Sequence, residues 1–361
     1  MGRRRFQFMG GGDGDRVQLA PFLDPIIPQA VQGPLLQDAE GLVEIDRLGA
    51  MDCATSIILT MEDVPGPYRK AFSTHLSTSI RRVLQARTEE ELTRALKWLL
   101  ALPKLLLRET KRGGKGKGSG EVAGRFTSVR EGSWGQLLQL LLNDKEAERS
   151  RREVRRRRRA MGQEEADPME EKAKLRKIVL AKVSRGEVGA ARRLAVSSGV
   201  ASMEDPVVRA TMRSKYPPRS RELPATVIRG TALDSLPCLK EVLLNLQPGK
   251  SGGFGGMRSE YLRCAAQNWD ERELAEYEEF GLLYLNVFLP PWFYRVASSV
   301  STVALFKSAA RDRELLRPVG VKSGWVRFLH GQVMTSNRGA LREHCEPEQR
   351  GQDGPHGQDD D

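Results

Sequence analysis

The chain is poor in cysteine, histidine and aromatic residues, and each shortage argues against a class of protein. Its four cysteines, Cys53, Cys238, Cys264 and Cys345, lie far apart with no Cys-x-x-Cys pair. This spacing indicates neither a disulfide framework nor a zinc site, and it fits a reducing compartment. Aromatic residues make up 6% of the chain, which argues against a surface dedicated to stacking single-stranded bases. The four histidines are isolated from plausible serine, cysteine or metal-ligand partners, and the adjacent pair His344 and Cys345 cannot form a chelate without distant ligands, so no hydrolase site and no metal site is predicted.

Long apolar runs are also lacking. A helix that spans a bilayer needs about 20 apolar residues. The nearest segment, 98–107, is shorter and is interrupted by Pro103 and Lys104. The N-terminal residues MGRRRFQF do not form the apolar core of a signal peptide. We therefore expect an intracellular protein, in the nucleus or the cytoplasm, that has no membrane partner.

Positive charge is what the chain has in excess. The formal net charge is +11, and the hydrophobic content of 39% is on the low side for a fully globular protein. A basic chain of this kind favours a polyanionic partner, with RNA or DNA expected first and an acidic membrane surface second. The length of 361 residues allows about two domains, with a core that does not extend along the whole chain.

Changes in periodicity and composition divide the chain into segments. The clearest helical signal is the recurrence of Leu92, Leu96 and Leu99, preceded by Thr88 and Glu91 as a capping box. The predicted segments are an irregular, disordered lead-in at 1–63; a helical leader at 64–143 with a Gly/Lys linker at 111–120; an Arg-rich and then acidic segment at 144–170; short helices and a Pro-rich linker at 171–237; a mixed α and β region at 238–345; and an acidic, disordered tail at 346–361.

One block of the third segment has the highest charge density in the chain. It consists of five consecutive arginines: Arg155, Arg156, Arg157, Arg158 and Arg159. Such a block repels itself and is usually a solvated helix end or disordered. Two functional interpretations remain open beside that one, namely a contact with a nucleic-acid backbone and a nuclear import signal.

The stretch 247–321 is the part whose residue order suggests a chemistry. Two apolar runs, 300–306 and 318–321, flank a polar link that contains basic residues. This pattern predicts a β-hairpin. A hairpin returns the chain on itself, so Lys307 at the end of one strand and Arg317 at the start of the other are expected to face the same volume. Two such cations can bind a polyphosphate.

The order of motifs in this stretch is PGK, a Gly-rich turn, R-x-E-x-L, an amphipathic helix, P-x-W, an apolar strand ending in LFK, and LRPVGV. This order resembles the fingers region of reverse transcriptases of non-LTR retrotransposons. The resemblance implies that Lys307 and Arg317 contact the triphosphate of an incoming deoxynucleotide. Upstream segments such as RGEVGAARRLAVSSGVA resemble the leader of the same proteins, so the likeness covers about residues 64–350.

The resemblance implies a fold that is mainly α with a small β-hairpin. A helical leader would precede an incomplete α+β fingers region, with a disordered N-terminus, disordered linkers and a disordered tail. Two features depart from the family pattern. Gly252, Phe254 and Gly255 stand where the family usually has Pro, Pro and Asp or Ser. In addition, the palm that follows the fingers is missing, and no Tyr-x-Asp-Asp occurs.

The missing palm decides what is expected of the activity. In the complete family enzyme, palm aspartates hold Mg²⁺ ions for nucleotidyl transfer. We therefore expect a truncated RNA-directed DNA polymerase fragment that has no catalytic residues, binds no cofactor by itself and is inactive alone. The alternative is a non-enzymatic, basic helical protein that serves as a nucleic-acid-binding module or a scaffold.

Overall fold

The computed structural model describes residues 45–46, 48–49, 53–54, 58–109, 117–160, 168–184, 188–195, 199–203, 205–215, 233–307 and 310–338. Most of the predicted lead-in, much of the Pro-rich linker and the whole of the predicted acidic tail lie outside these ranges.

Helices dominate the described residues, as the sequence predicts. The helices are α1 (Arg69–Gln85), α2 (Glu89–Leu107), α3 (Lys117–Arg130), α4 (Trp134–Ala160), α5 (Pro168–Ser184), α6 (Val188–Ala195), α7 (Pro206–Lys215), α8 (Leu239–Leu244), α9 (Ser259–Asn268), α10 (Glu271–Leu285), α11 (Pro291–Ala297) and α12 (Gly324–Ser336). The strands are β1 (Val200–Ala201), β2 (Ser301–Phe306) and β3 (Leu316–Val321). None of the helices in the described ranges is long and apolar enough to cross a membrane.

Local sequence explains where several helices begin and end. The Thr88 hydroxyl accepts a hydrogen bond from the Glu91 backbone N–H at 3.1 Å, so the predicted cap of α2 is present. Helix α3 begins at Lys117, inside the segment 111–120 that the sequence predicted as a linker. Val122 and Phe126 explain this difference, because both are buried in the core. Tertiary packing of this kind offsets the cost of about 1 kcal/mol for each glycine in the first turn of the helix.

The leader helices and the helices after residue 236 share one hydrophobic core. Helix α1 packs against both α9 and α10. The Trp269 indole N–H donates to the Ser73 carbonyl oxygen at 3.1 Å, and Arg81 forms a largely buried ion pair with Glu276 at 2.8 Å. The first helical segment therefore shares one core with the helices that flank the hairpin in sequence.

The strands form an antiparallel sheet in the order β1-β2-β3. The predicted β-hairpin is confirmed, with Thr302 opposite Gly320 and Phe306 opposite Leu316. Strand β1, which the sequence did not predict, adds a third strand through the pairing of Ala201 with Ala304. The fold is thus mainly helical with a small antiparallel sheet.

Candidate nucleotide-binding site

At the turn end of the hairpin, where Ala304, Leu316 and Arg317 lie, the alternation of side chains separates a buried face from an exposed face. Ala304 and Leu316 have no exposed surface and pack with Val208 and Met212 of α7. Because successive side chains of a strand point to opposite faces, the neighbours of Ala304 and Leu316, Arg317 included, lie on the other face. We call this other side of the three strands the open face.

Lys307 and Arg317 both lie on the open face. Arg317 is opposite Leu305, and the Lys307 backbone N–H donates to the Leu315 carbonyl oxygen at 3.0 Å. The two cationic residues are therefore diagonal neighbours, with Cα atoms roughly 7 Å apart. Both side chains are exposed and long enough to reach one common ligand.

The cations of the hairpin differ in their partners. Arg313 forms an ion pair with Asp205, at the start of α7, at 3.3 Å. Lys307 and Arg317 form no ion pair with any residue that the structure describes. The two residues singled out by the sequence are thus exposed cations that differ from Arg313 in having no ion pair with a described residue.

Apolar side chains accompany the two cations on the open face. Val200 is opposite Leu305 and is 64% exposed, and Leu315 is 50% exposed. The open face therefore offers apolar surface next to positive charge. That combination suits a ligand with both a ring and an anionic chain.

The glycine-rich turn at 249–256 packs against the end of β3. Gly253 has a φ of 63°, and a Cβ there would lie 2.5 Å from the Lys322 carbonyl oxygen. The Gly324 N–H donates to the Met257 carbonyl oxygen at 2.7 Å, next to the same place. A side chain at Gly253 would collide with backbone, so glycine is required for this approach.

The other side of the glycine-rich turn rests on the leader and on Thr60, which lies just before the leader in sequence. The Thr60 hydroxyl donates to the Gly256 carbonyl oxygen at 3.0 Å. The Lys104 ammonium, from α2, donates to the Phe254 carbonyl oxygen at 2.9 Å. Lys104 has no exposed surface. The turn is therefore held between the leader on one side and the end of β3 on the other.

Burial in this place changes the ionisation of the lysine. Desolvation lowers the pKa of Lys104 to about 7. Cys53 nearby acts against this decrease, whereas Lys145 adds to it.

Residues of the R-x-E-x-L motif fix the same turn. Glu260 is buried and its carboxylate accepts a hydrogen bond from a backbone N–H of the turn. Arg258 donates to the Thr60 carbonyl oxygen at 3.0 Å, and Arg327 of α12 donates to the Ser251 carbonyl oxygen at 2.8 Å. The motif thus has a structural role in this chain, which is to hold the turn in place.

The five arginines 155–159 lie at the C-terminal end of α4. Of their side chains, the structure describes those of Arg157 and Arg158, and both are exposed. Arg157 pairs with Glu153 at 3.2 Å, and Glu148, further back along the helix, pairs with two more arginines. Of the two described arginines of the block, the charge of Arg157 is therefore offset within the helix, and Arg158 is exposed.

The metal ligands of the complete family enzyme have no counterpart in the described ranges. There, no three His, Cys, Asp or Glu side chains are grouped so that they could hold a metal ion. The described residues therefore do not offer the Mg²⁺ site that the resemblance implies for a whole polymerase.

Comparison of the chain with protein-family models, with curated proteins and with solved structures finds no match.

Two features of the site were missed by the sequence reasoning. Strand β1 has only two residues, too few to show a periodicity. The second is the anchoring of the turn by Lys104, whose partner Phe254 is 150 residues away. The signal that could have revealed this anchoring was a lysine within an apolar helix. In the sequence, Lys104 was noted only as an interruption of the apolar segment 98–107.

Proposed function

We propose that the open face is the nucleotide-binding face of a fingers region of the kind found in non-LTR retrotransposon reverse transcriptases. In this proposal Lys307 and Arg317 bind the triphosphate of an incoming deoxynucleotide. The observation that carries it is the placement of these two cations as diagonal neighbours on one exposed face, with no ion pair to a described residue. Cations so placed can contact different phosphate groups of one triphosphate.

The surroundings of the two cations support the same ligand class. Val200 and Leu315 present exposed apolar surface on the open face. Arg313, which could otherwise compete for phosphate, is paired with Asp205. A nucleotide combines a base, whose flat face can pack on apolar side chains, with a polyanionic chain, and the open face has a complement for each.

The proposed role is binding without catalysis. In-line nucleotidyl transfer needs carboxylates that hold two metal ions. The sequence contains no Tyr-x-Asp-Asp, and the described residues offer no grouped carboxylates for a metal. In a working polymerase these groups would come from residues other than those described for this chain.

A double substitution tests the proposal. The variant Lys307→Ala/Arg317→Ala should lose triphosphate affinity by about a hundredfold or more, because it removes two charge-assisted hydrogen bonds that contribute about 1.5 to 3 kcal/mol each. The matched control is Lys240→Ala/Arg295→Ala, which removes the same two charges from exposed positions on α8 and α11. Binding of a fluorescent deoxynucleoside triphosphate is the measurement. Equal affinities of the two double variants would refute the proposal.

The exposed end of α4 favours a second candidate function, a nucleic-acid-binding module without nucleotide specificity. The observation that supports this function is that the described arginines of the block 155–159, Arg157 and Arg158, are exposed. If they bind phosphates, Arg157→Ala/Arg158→Ala should reduce the slope of log K against log salt by about 0.7 to 0.9 for each phosphate that is no longer neutralised. An unchanged slope for RNA binding would exclude this role. If Lys307→Ala/Arg317→Ala instead weakens RNA and triphosphate binding equally, the second function is favoured over the first.

A further inference from the structure

We infer that Lys104 is a positioning residue for the nucleotide-binding face, because it fixes the glycine-rich turn and, through the turn, the end of the strand that carries Arg317. This inference rests on the proposed function of the open face. Lys104 belongs to the leader, about 200 residues before the strand in sequence, and its polar partner is the turn and not either of the two cations.

Lys104 contacts the turn along much of its own length. Its ammonium donates to the Phe254 carbonyl oxygen at 2.9 Å and lies 5.9 Å from the centre of the Phe254 ring. Its aliphatic stem supports the next part of the turn, where a Cβ on Gly256 would lie 3.2 Å from the Lys104 Cε atom. Both the charged end and the stem of the side chain therefore hold the turn.

Apolar packing alone does not explain a lysine at this position. Lys104 has no exposed surface, and its neighbours along α2 are mostly leucines. Burial of an amine costs free energy that a methionine of similar shape would avoid. What the amine adds is the hydrogen bond to the Phe254 carbonyl oxygen. This bond to the turn explains why position 104 has a lysine and not an apolar residue.

The glycine-rich turn also contacts the end of β3. It approaches the peptide between Lys322 and Ser323 so closely that a Cβ on Gly253 would lie 2.5 Å from the Lys322 carbonyl carbon. The Ser323 hydroxyl lies 3.5 Å from the position of a Cβ on Gly255. Strand β3 ends at Val321, immediately before this contact. A shift of the turn must therefore move the base of the hairpin.

The length of the strand magnifies such a shift. Arg317 lies five residues from Lys322, a distance of roughly 17 Å along a strand. A small rotation at the base thus becomes a displacement on the order of an ångström at the cations. Hydrogen bonds to a triphosphate depend on distances of that order.

The experiment compares two lysines of the same helix. Lys104→Met removes the donor and keeps the shape of the side chain. The matched control is Lys97→Met, because Lys97 also lies on α2 and donates to backbone carbonyl oxygens, those of Ile45 and Asp46 at 3.3 Å, without being among the residues that hold the turn. Hydrogen exchange of the full chain and affinity for a fluorescent deoxynucleoside triphosphate are measured for both.

We expect Lys104→Met to speed the exchange of amides at 251–257 and 322–324 by about fivefold or more, the effect of losing one hydrogen bond. Triphosphate affinity should fall by a similar factor, and Lys97→Met should change neither. Should Lys104→Met fail to fold, Thr60→Val tests the same link, since it removes only the hydroxyl that holds Gly256. Thr60→Val should then give the same pattern.

Three results would overturn the inference. The first is exchange at the turn that is the same in Lys104→Met and Lys97→Met. The second is faster exchange in α1 and α10 as large as that at the turn, which would mean a general role in the core. The third is a loosened turn with unchanged triphosphate affinity, which leaves the proposed function intact. If the wild-type chain binds no triphosphate, the proposed function fails and the nucleotide role of Lys104 fails with it, while the exchange data still show whether Lys104 holds the turn.

Discussion

Two hydrophobic clusters of very different size form the buried core of the described residues, without a contribution from α5 and α6. The large one joins the leader helices to α8–α12 and contains most of the buried aromatic side chains. The small one lies under the sheet and consists of Ala201, Val208, Met212, Ala304 and Leu316. The residues proposed to bind the nucleotide stand on the small cluster, whereas the base of their hairpin is held by the large one.

The difference in size predicts a difference in local stability between the two clusters. A cluster with few buried apolar contacts opens at a low free energy, and binding elements are commonly drawn from such regions. The large core and the glycine-rich turn hold the C-terminal end of β3 in place. The small cluster, which has far fewer buried residues, lies under the other end of the hairpin, which carries Lys307 and Arg317. Substitutions in each cluster show whether the two behave independently.

The largest effect is expected from Phe72→Ala in the large core. Phe72 has no exposed surface and packs edge to face on Tyr261, with ring centres 5.5 Å apart. Its removal should lower the free energy of unfolding by about 3 to 5 kcal/mol. Urea denaturation followed by circular dichroism measures this loss. Leu59→Ala is the control, because Leu59 is 60% exposed; a comparable loss in both variants would contradict the assignment of the core.

A smaller and local effect is expected from Leu316→Ala in the small cluster. The side chain is fully buried against Ala304 and α7, so its truncation should destabilise the sheet by about 2 to 4 kcal/mol. We expect faster hydrogen exchange in β2 and β3 while α1 and α10 keep their protection. Equal loss of protection in α1 and α10 would show that the two clusters unfold as one unit.

The two clusters also differ in how much of them could be predicted from the sequence. The hairpin was predicted because apolar runs and a polar link are local signals, and the helices because their apolar residues recur at helical spacing. The contacts that join distant segments could not be predicted, since no local pattern records them. Arg81 meets Glu276 across 195 residues, and Lys104 meets Phe254 across 150. The sequence also could not show which face of the hairpin is open, because helix α7 packs on the other face and lies about 90 residues earlier in the chain.

The ionisation of Lys104 predicts a pH dependence of the large core. Burial lowers its pKa from 10.5 to about 7. Between these values the unfolded chain binds more protons than the folded chain, so stability should rise with pH by up to about 1.4 kcal/mol per pH unit. Below pH 7 both states carry the proton, and this contribution stays constant. Lys145 and Cys53, the titratable groups that act on Lys104, influence where the rise begins.

The measurement for this prediction is the free energy of unfolding of the wild type and of Lys104→Met between pH 7 and pH 10. The wild type should gain stability relative to the variant as pH rises. His75 does not interfere, because burial lowers its pKa from 6.5 to about 4 and its effect falls below this window. Parallel curves for the two proteins would show that Lys104 keeps its ordinary pKa in the folded chain.

The smallest effect is expected from Arg313→Ala, at the surface of the small cluster. Its ion pair with Asp205 spans 3.3 Å, but the arginine side chain is 64% exposed, so the loss should be less than about 1 kcal/mol. Because Arg313 is already paired, its removal should leave triphosphate affinity within about twofold of the wild type, at moderate salt where exposed charges are screened. Fluorescent triphosphate binding at two salt concentrations measures this. If Arg313→Ala reduces triphosphate affinity as much as Lys307→Ala/Arg317→Ala does, the ligand is attracted by the total charge of the hairpin. The specific role of the two cations on the open face would then be contradicted.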